Sequence, residues 1–379
     1  MNIAQLKQWK NENKIAIYCA GTHGREIKKL LKFCGVEIDY FLDNNKNLQG
    51  KMIDGVICYK PTYIEGKNNC ITLIAAGLEK YEEIYRMAKK QGILNIIDFR
   101  LVLDDLIIHN DLYTKLMYIR SNSVEADLFY TKVFTKNENI NRKKIKEKKI
   151  AVYTANFGNY DKIFVPEVVP ENVDYYYFSD AKPLKLKRYI WRDAKKYIPD
   201  ALISPIKRNR YLKMHPDELF PEYEYSIYLD SNIKIIGDIT DFFGTSKSGI
   251  SVFKHNRRDC LFYEAMTIVN YKRAIPQDVV IQMNRYLEEG MPLHFGLMEM
   301  PIIAREHKNK YCKKIMNLWW EEFNKGAQRD QLSFMYSVWK NGMTIDDIAI
   351  LGDDVRMENS ITIYNHIKQS KYIANEDAE

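Results

Sequence analysis

"YSIYLDSNIKI", residues 225–235, reads as a buried strand from Tyr225 to Leu229 that stops at an aspartate, then a polar break and a second short apolar run. Aspartate, serine and asparagine favour turns because their side chains bond nearby backbone groups. A strand that carries a carboxylate, a hydroxyl and an amide to its tip has a second use. It can hold a hard divalent cation, or a ribose, at the mouth of a sheet. The choice between the two depends on what the neighbouring segments place beside Asp230.

Upstream, "RNRYLKMHPDELFPEYEY" (208–225) reads as a basic helix leading into that strand, so Arg208, Arg210, Lys213 and His215 fall near the segment that delivers Asp230. "KIAVYTANFGNYDKIFVPEVVPENVDYYYFSD" (149–180) opens with a strand, turns at Gly158 and reaches another strand closing on Asp180. Downstream, "SVFKHNRRDCLFYEA" (251–265) sets Lys254, His255, Arg258 and Glu264 after a further strand. "RDQLSF" (329–334) puts Asp330 in the first turn of a helix, where the backbone dipole favours an acid. Strand tips bearing acids beside cations suit a donor with a diphosphate leaving group. Its charge must be neutralised by a metal on carboxylates or by fixed cations, in a site that excludes bulk water.

The first hundred residues alternate short apolar runs with helical periodicity. "KIAIYCAG" (14–21) is a strand ending in glycine, "REIKKLLKFCG" (25–35) a helix closed by glycine, and "EIDYFLDNN" (37–45) a second strand. This alternation argues for a parallel α/β sheet. The turn Gly21-Thr22-His23-Gly24 lets backbone N–H groups approach a phosphate at a helix amino end, and Asp43 stands where an acid could hold a ribose. The turn lacks the full G-x-G-x-x-G spacing. Residues 105–149 read as a helical connector and an exposed basic hinge, and a new domain begins at Ile150.

Composition bounds the remaining choices. With 379 residues, 46% hydrophobic and 28% charged, the chain is long enough for two or three domains with ordinary cores. Six scattered cysteines form no C-x-x-C pair or Cys/His cluster, so neither a zinc site nor a disulfide framework is indicated, and a reducing compartment fits. No segment has the apolar length of a signal peptide or a bilayer span, which makes the expected location cytoplasmic. "RKKIKEKK" (142–149) concentrates six basic residues against one acid, the pattern of a solvated linker or of a peripheral contact with an anionic inner membrane face. No nucleic-acid-binding motif accompanies it.

Two resemblances then appear. Residues 17–61, from "IYCAGTHGREIKKLLKFCG" to "DGVICYKP", are similar to the small Rossmann-like domain of sugar acetyltransferases acting on nucleotide-linked sugars, with threonine where that turn has a glycine. Further on, "VYTANFGNYD", "VDYYYFSD", "RYLKMHPDELFPEYEYSIYLDSNIKI", "FKHNRRDCLFYEA", "PIIAREH" and "RDQLSF" stand in the order found in the glycosyltransferase-like family of plant turgor-regulation and seed-mucilage proteins and their relatives in bacterial polysaccharide loci.

That second resemblance implies an α/β glycosyltransferase domain of GT-A type over 150–379, behind a Rossmann-like accessory domain over 1–104. It implies a nucleotide-sugar donor and a glycan or lipid-linked glycan acceptor. Asp230-Ser231-Asn232 would occupy the D-x-D position, and Asp230, Asn232 and His366 would hold Mn or Mg, with Lys368 or Lys371 on the diphosphate. Tyr153, Thr154 and Asp180 would line the nucleotide pocket. Lys213, His215, Lys254, His255 and Arg258 would lie near the phosphates or acceptor, and Asp330 and Gln331 against the reacting sugar.

Two other classes compete. An NAD-dependent sugar oxidoreductase or epimerase would need a Tyr-x-x-x-Lys pair, a spacing met by Tyr85 and Lys89. A non-catalytic glycan-binding protein would explain the asparagine in the D-x-D position.

Overall fold

A computed structural model describes residues 2–63, 69–108, 142–158 and 160–366. The chain divides into two compact units, Met1–Val133 with Arg257–His294, and Phe134–Asn256 with Phe295–Glu379. The second unit is therefore not the continuous run from 150 that the sequence suggests. The helices Leu261–Asn270 and Pro276–Glu288 group with the first unit.

In the first unit the strands are β1 (Lys14–Tyr18), β2 (Tyr40–Leu42), β3 (Met52–Ile53), β4 (Val56–Tyr59), β5 (Cys70–Ile74) and β6 (Asn95–Asp98). They form one sheet in the order β3-β4-β2-β1-β5-β6, parallel apart from the β3–β4 pair. Parallel strands are covered on both faces, which is why β1 and β5 are almost continuously apolar and buried. Four helices belong to this alternation, α1 (Ile3–Lys10), α2 (Thr22–Phe33), α3 (Leu78–Lys90) and α4 (Phe99–Ile108). Helix α2 packs so closely on the end of β1 that a Cβ on Gly24 would sit 1.9 Å from the Cys19 carbonyl oxygen.

Asp43 has a structural use here. Its Oδ2 accepts the Ala20 N–H at 2.7 Å and its Oδ1 the Asn45 N–H at 2.8 Å, so the acid expected to hold a ribose holds the turn after β1 instead. Tyr85 packs against the apolar core and Lys89 donates to the Leu94 carbonyl, its ammonium also over the Tyr85 ring. The spacing that suggested a dehydrogenase pair is that of one helix face.

The second unit is built on β7 (Ile150–Ala155), β8 (Val173–Ser179), β9 (Ile190–Asp193), β10 (Tyr225–Leu229), β11 (Ile233–Ile235), β12 (Ile250–Lys254), β13 (Met298–Glu306), β14 (Ala349–Gly352) and β15 (Ile361–Ile363). Seven of these make a mixed sheet in the order β14-β12-β13-β10-β7-β8-β9, in which only β13 runs against its neighbours. The short antiparallel pair β11–β15 stands apart. Side-chain alternation puts Ile150, Val152, Ile227 and Leu229 into one core and Ala151, Tyr153, Ala155 and Tyr228 into another, one on each face.

The basic run 142–149 is not a free hinge. Lys144 pairs with Asp238 at 2.6 Å, Lys148 with Glu224 at 3.3 Å and Lys149 with Asp174 at 3.1 Å, while Arg142 bonds Glu358 and the Leu351 carbonyl. The run lies along an acid-bearing surface, and the cations so paired are partly neutralised toward any anionic membrane. The rest of the expected connector, 109–141, lies outside the described residues. Among the described residues no helix is long and apolar enough to cross a membrane.

Gly24→Ala is expected to destabilise the first unit by about 1–3 kcal/mol through overpacking against backbone that cannot rotate away. Urea denaturation measures it, and a loss below a few tenths would contradict the close approach.

Candidate functional site

The chain runs outward from β7 to β8 and β9, then returns to place β10 on the other side of β7. Open α/β sheets bind ligands in the crevice outside the carboxyl ends of the strands at such a reversal, here the ends of β7 and β10. Asp230 stands at the end of β10, and Thr154, Ala155 and Asn156 at the end of β7.

Helix α5 (Pro205–Met214) carries the cations to this edge. Proline in its first turn is preset for helix and gives up an N–H that would lack a partner anyway. The Lys213 ammonium bonds Asp330 Oδ2 at 2.8 Å and lies 3.6 Å from Asp230 Oδ1. One turn earlier, Arg210 Nε lies 2.9 Å from the same Asp330 oxygen. Tyr228 donates its hydroxyl hydrogen to Asp230 Oδ1 at 3.0 Å. Asn209 bonds the Ala155 carbonyl at 3.0 Å and accepts from Arg210 at 2.5 Å. Asp330 opens a 3-10 turn, Asp330–Leu332, whose first carbonyl accepts Trp319 Nε1–H at 2.8 Å. Trp319 is buried in the core.

The electrostatics of this cluster are one-sided. Burial alone would raise the Asp330 carboxyl, but Arg210, then Lys213 and Arg329, hold it well below the usual carboxylate range. Burial likewise works against the charge on Arg210, and Asp330 and Asp230 outweigh it. Asp330 is consequently held as the anion in the native arrangement. Of Arg210, Lys213, Asp230 and Asp330, Asp230 and Arg210 keep the larger side-chain exposure, 27% and 22%.

A second group gathers around Asp161, which the sequence reading did not single out. Ser231 donates to Asp161 Oδ2, and His366 Nδ1 lies 2.9 Å from the same oxygen. The Asp161 backbone is locked to the Asn156 amide, with Nδ2 donating to the Asp161 carbonyl at 2.8 Å. The hydrogen bond to Asp161, opposed by burial, raises the His366 pKa above its ordinary value. His366 is 205 residues from Asp161 in the chain, so no local pattern signals the pair.

The other expected residues are dispersed. Thr154 is buried, 8% exposed, and its hydroxyl has no hydrogen-bond partner among the described residues. Asp180 is exposed and faces the Gly158 N–H at 3.3 Å, and Gln331 bonds the Met298 carbonyl at 2.5 Å. Tyr153 is sealed in the core, with its hydroxyl on the Leu212 carbonyl at 3.0 Å, and therefore lines no pocket. His215 is stacked on Tyr211 at 4.1 Å beside Trp320, with burial lowering its pKa, which is an aromatic packing role.

Lys254 lies 3.8 Å from Asp353 and His255 3.8 Å from Glu299, both at the carboxyl end of β12. Arg258 bonds Glu264 at 2.6 Å and belongs to the first unit. Lys368 and Lys371 lie outside the described residues.

The expected metal donors do not form one group. The Asp230 carboxylate turns to Tyr228 and Lys213, Asn232 donates to the Tyr364 carbonyl at 2.7 Å, and His366 turns to Asp161. Among the described residues no three His, Cys, Asp or Glu side chains are arranged to hold a metal. A hard cation prefers several charged oxygens. This set offers one carboxylate, and that one already lies beside an ammonium.

The family described as TOD1/MUCI70, glycosyltransferase-like domain, matches residues 130–366. No curated protein sequence matches the chain. Among solved structures, the WbbM bifunctional glycosyltransferase in its apo form is similar at 12% identity over 55% of this chain and 39% of that one, with a TM-score of 0.35. The match thus spans well under half of the WbbM chain. The galactosyltransferase LgtC in complex with donor and acceptor sugar analogues is similar at 12% identity over 53% of this chain and 72% of that one, TM-score 0.31. Mouse xyloside xylosyltransferase 1, apo form, is similar at 10% identity over 54% and 85%, TM-score 0.32. At these identities and scores the likenesses fix neither substrates nor residue roles.

The raised His366 pKa has a signed consequence. A group whose pKa is higher folded than unfolded stabilises fully below its unfolded value and loses that contribution as pH rises through the folded one. His366→Gln should therefore lower the melting temperature more at pH 6 than at pH 9. An equal drop at both would mean that Asp161 and His366 are not an ion pair.

Proposed function

The chain belongs to the TOD1/MUCI70 glycosyltransferase-like family, and on that premise we propose that its second unit transfers a sugar from a nucleotide-sugar donor to a hydroxyl of a glycan or lipid-linked glycan. The observation that carries this reading is the cluster of Arg210, Lys213, Asp230 and Asp330 at the carboxyl edge of the sheet.

Each residue has a role that its geometry supports. Arg210, at the open rim, meets the diphosphate as its charge grows in the transition state, with Lys213 behind it. Asp330 is too weak a base to take the acceptor proton, because a carboxylate held ionised by two cations has little proton affinity. It accepts a hydroxyl of the transferred sugar and stabilises positive charge developing on the sugar ring. Gln331 lies next to it, and Asp230 keeps Lys213 in place while facing the crevice. The residues that would hold Mn or Mg are Asp230, Asn232 and His366, with Asp161 bonded to His366. These donors are turned toward other partners, so charge neutralisation is assigned to the fixed cations. The setting is the cytoplasmic stage of surface-glycan assembly.

Isothermal titration with a panel of nucleotide sugars tests the reading. Binding of at least one donor is expected, persisting in EDTA. Binding lost in EDTA and restored by Mn would return the diphosphate to a metal on Asp230, and no binding to any donor would favour a glycan-binding protein without transfer.

With the donor found, Arg210→Met and Asp330→Asn are each expected to lower its turnover by about 10²-fold or more, the usual scale for losing a transition-state charge partner. Full turnover in either, in a folded protein, would remove that residue from the site.

A further inference from the structure

Arg305, near the end of β13, is wholly buried, yet it has no carboxylate partner among the described residues. A guanidinium taken out of water is costly unless other groups replace its hydration. Here one replacement comes from the carboxyl end of helix α5 and another from β7: Arg305 donates through Nη1 to the Lys213 carbonyl and through Nη2 to the Tyr153 hydroxyl at 2.6 Å, with Met316 Sδ 3.7 Å from Nη1. Tyr153 in turn donates to the Leu212 carbonyl at 3.0 Å. The guanidinium carbon lies 5.7 Å from the Tyr153 ring centroid, and Nε has no partner among the described residues.

The carbonyls of the last helical turn have no partner inside the helix, and a cation there also meets the negative end of the helix dipole. Arg305 and Tyr153 therefore close the end of α5 from inside the core. The residue so held is Lys213, whose ammonium reaches Asp330 at 2.8 Å and lies 5.1 Å from the Tyr228 ring centroid.

We propose that Arg305 is a positioning residue for the sugar-transfer site: by fixing the Lys213 backbone from the middle of the sheet it aims the ammonium at Asp330. The proposal rests on the function proposed above for its catalytic readout, and on the geometry alone for its structural one. Asp330 is faced by Arg210 and Lys213 from α5 and by Arg329 from its own turn, with Asp230 across Lys213. Loosening Lys213 removes one cation from the carboxylate, so Asp330 protonates at higher pH than in the native protein.

The test uses the full chain with Arg305→Met and Arg305→Lys. Lysine keeps the charge but cannot bridge both partners. With the donor that the titration identifies, the methionine variant should lose tenfold or more in kcat with donor KM within threefold. The lysine variant should lie between. A residue that merely stabilises the fold would lower the melting temperature and leave kcat where it is, and that result overturns the proposal.

A substrate-free arm separates this failure from failure of the proposed function. In urea denaturation, Lys213→Met should reduce the folding equilibrium constant at least tenfold less when Arg305 is already methionine. Strict additivity of the two substitutions overturns the positioning role even if the native chain turns over donor. Coupling without donor turnover keeps the positioning of Lys213 and overturns only the transfer reading.

Discussion

Lys213 keeps only 1% of its side-chain surface in solvent, and the carboxyl edge of the second sheet is arranged around what that burial demands. A buried ammonium is tolerated only with paired charge and satisfied hydrogen bonds. Asp330 provides the close partner, Asp230 a second at longer range, and the Tyr228 and Trp319 rings flank it. Helix α5, the tip of β10 and the turn after α6 (Lys310–Lys325) are thus tied to one point. Shifting any of the three leaves a charge without its partner. The cluster is therefore as much a constraint on the fold as a site for chemistry.

The strand tip that carries Asp230 serves two neighbourhoods. Asp230 itself turns to the α5 side, toward Lys213, whereas Ser231 bonds Asp161 and Asn232 the backbone of Tyr364. Alternation along a strand puts residues i and i+2 on one side, so the separation of Asp230 from Asn232 comes from the turn and from their partners rather than from the strand. Here the intervening contacts hold them apart. Asp161, with His366 and Ser231 on it, ties the loop after β7 to the segment after β15.

Much of this was legible from the residues. The alternation of apolar runs with helical periodicity marked the sheet of the first unit. The basic stretch before residue 225 read as the helix that carries Arg210 and Lys213 to the strand end, and "RDQLSF" brought Asp330 into consideration. The misreadings share one cause. Tyr153 and His215 lie within a few residues of the site in sequence but face the core, and the cations at 142–149 looked free because their acids are Asp174, Glu224 and Asp238. Asp43 looked like a ribose ligand because nothing local shows that the Ala20 and Asn45 N–H groups already occupy it.

By itself the sequence determined the element types, the edge of the sheet that bears polar residues and the residue classes available there, since these follow from periodicity and turn chemistry within about ten neighbouring positions. Which acid meets which cation was decided only by the tertiary structure. Lys213 and Asp330 are 117 residues apart, and Arg305 reaches Tyr153 across 152. Burial and strand order bring such groups within hydrogen-bonding distance, and an electrostatic interaction depends on that distance and on the water excluded from it, not on separation along the chain.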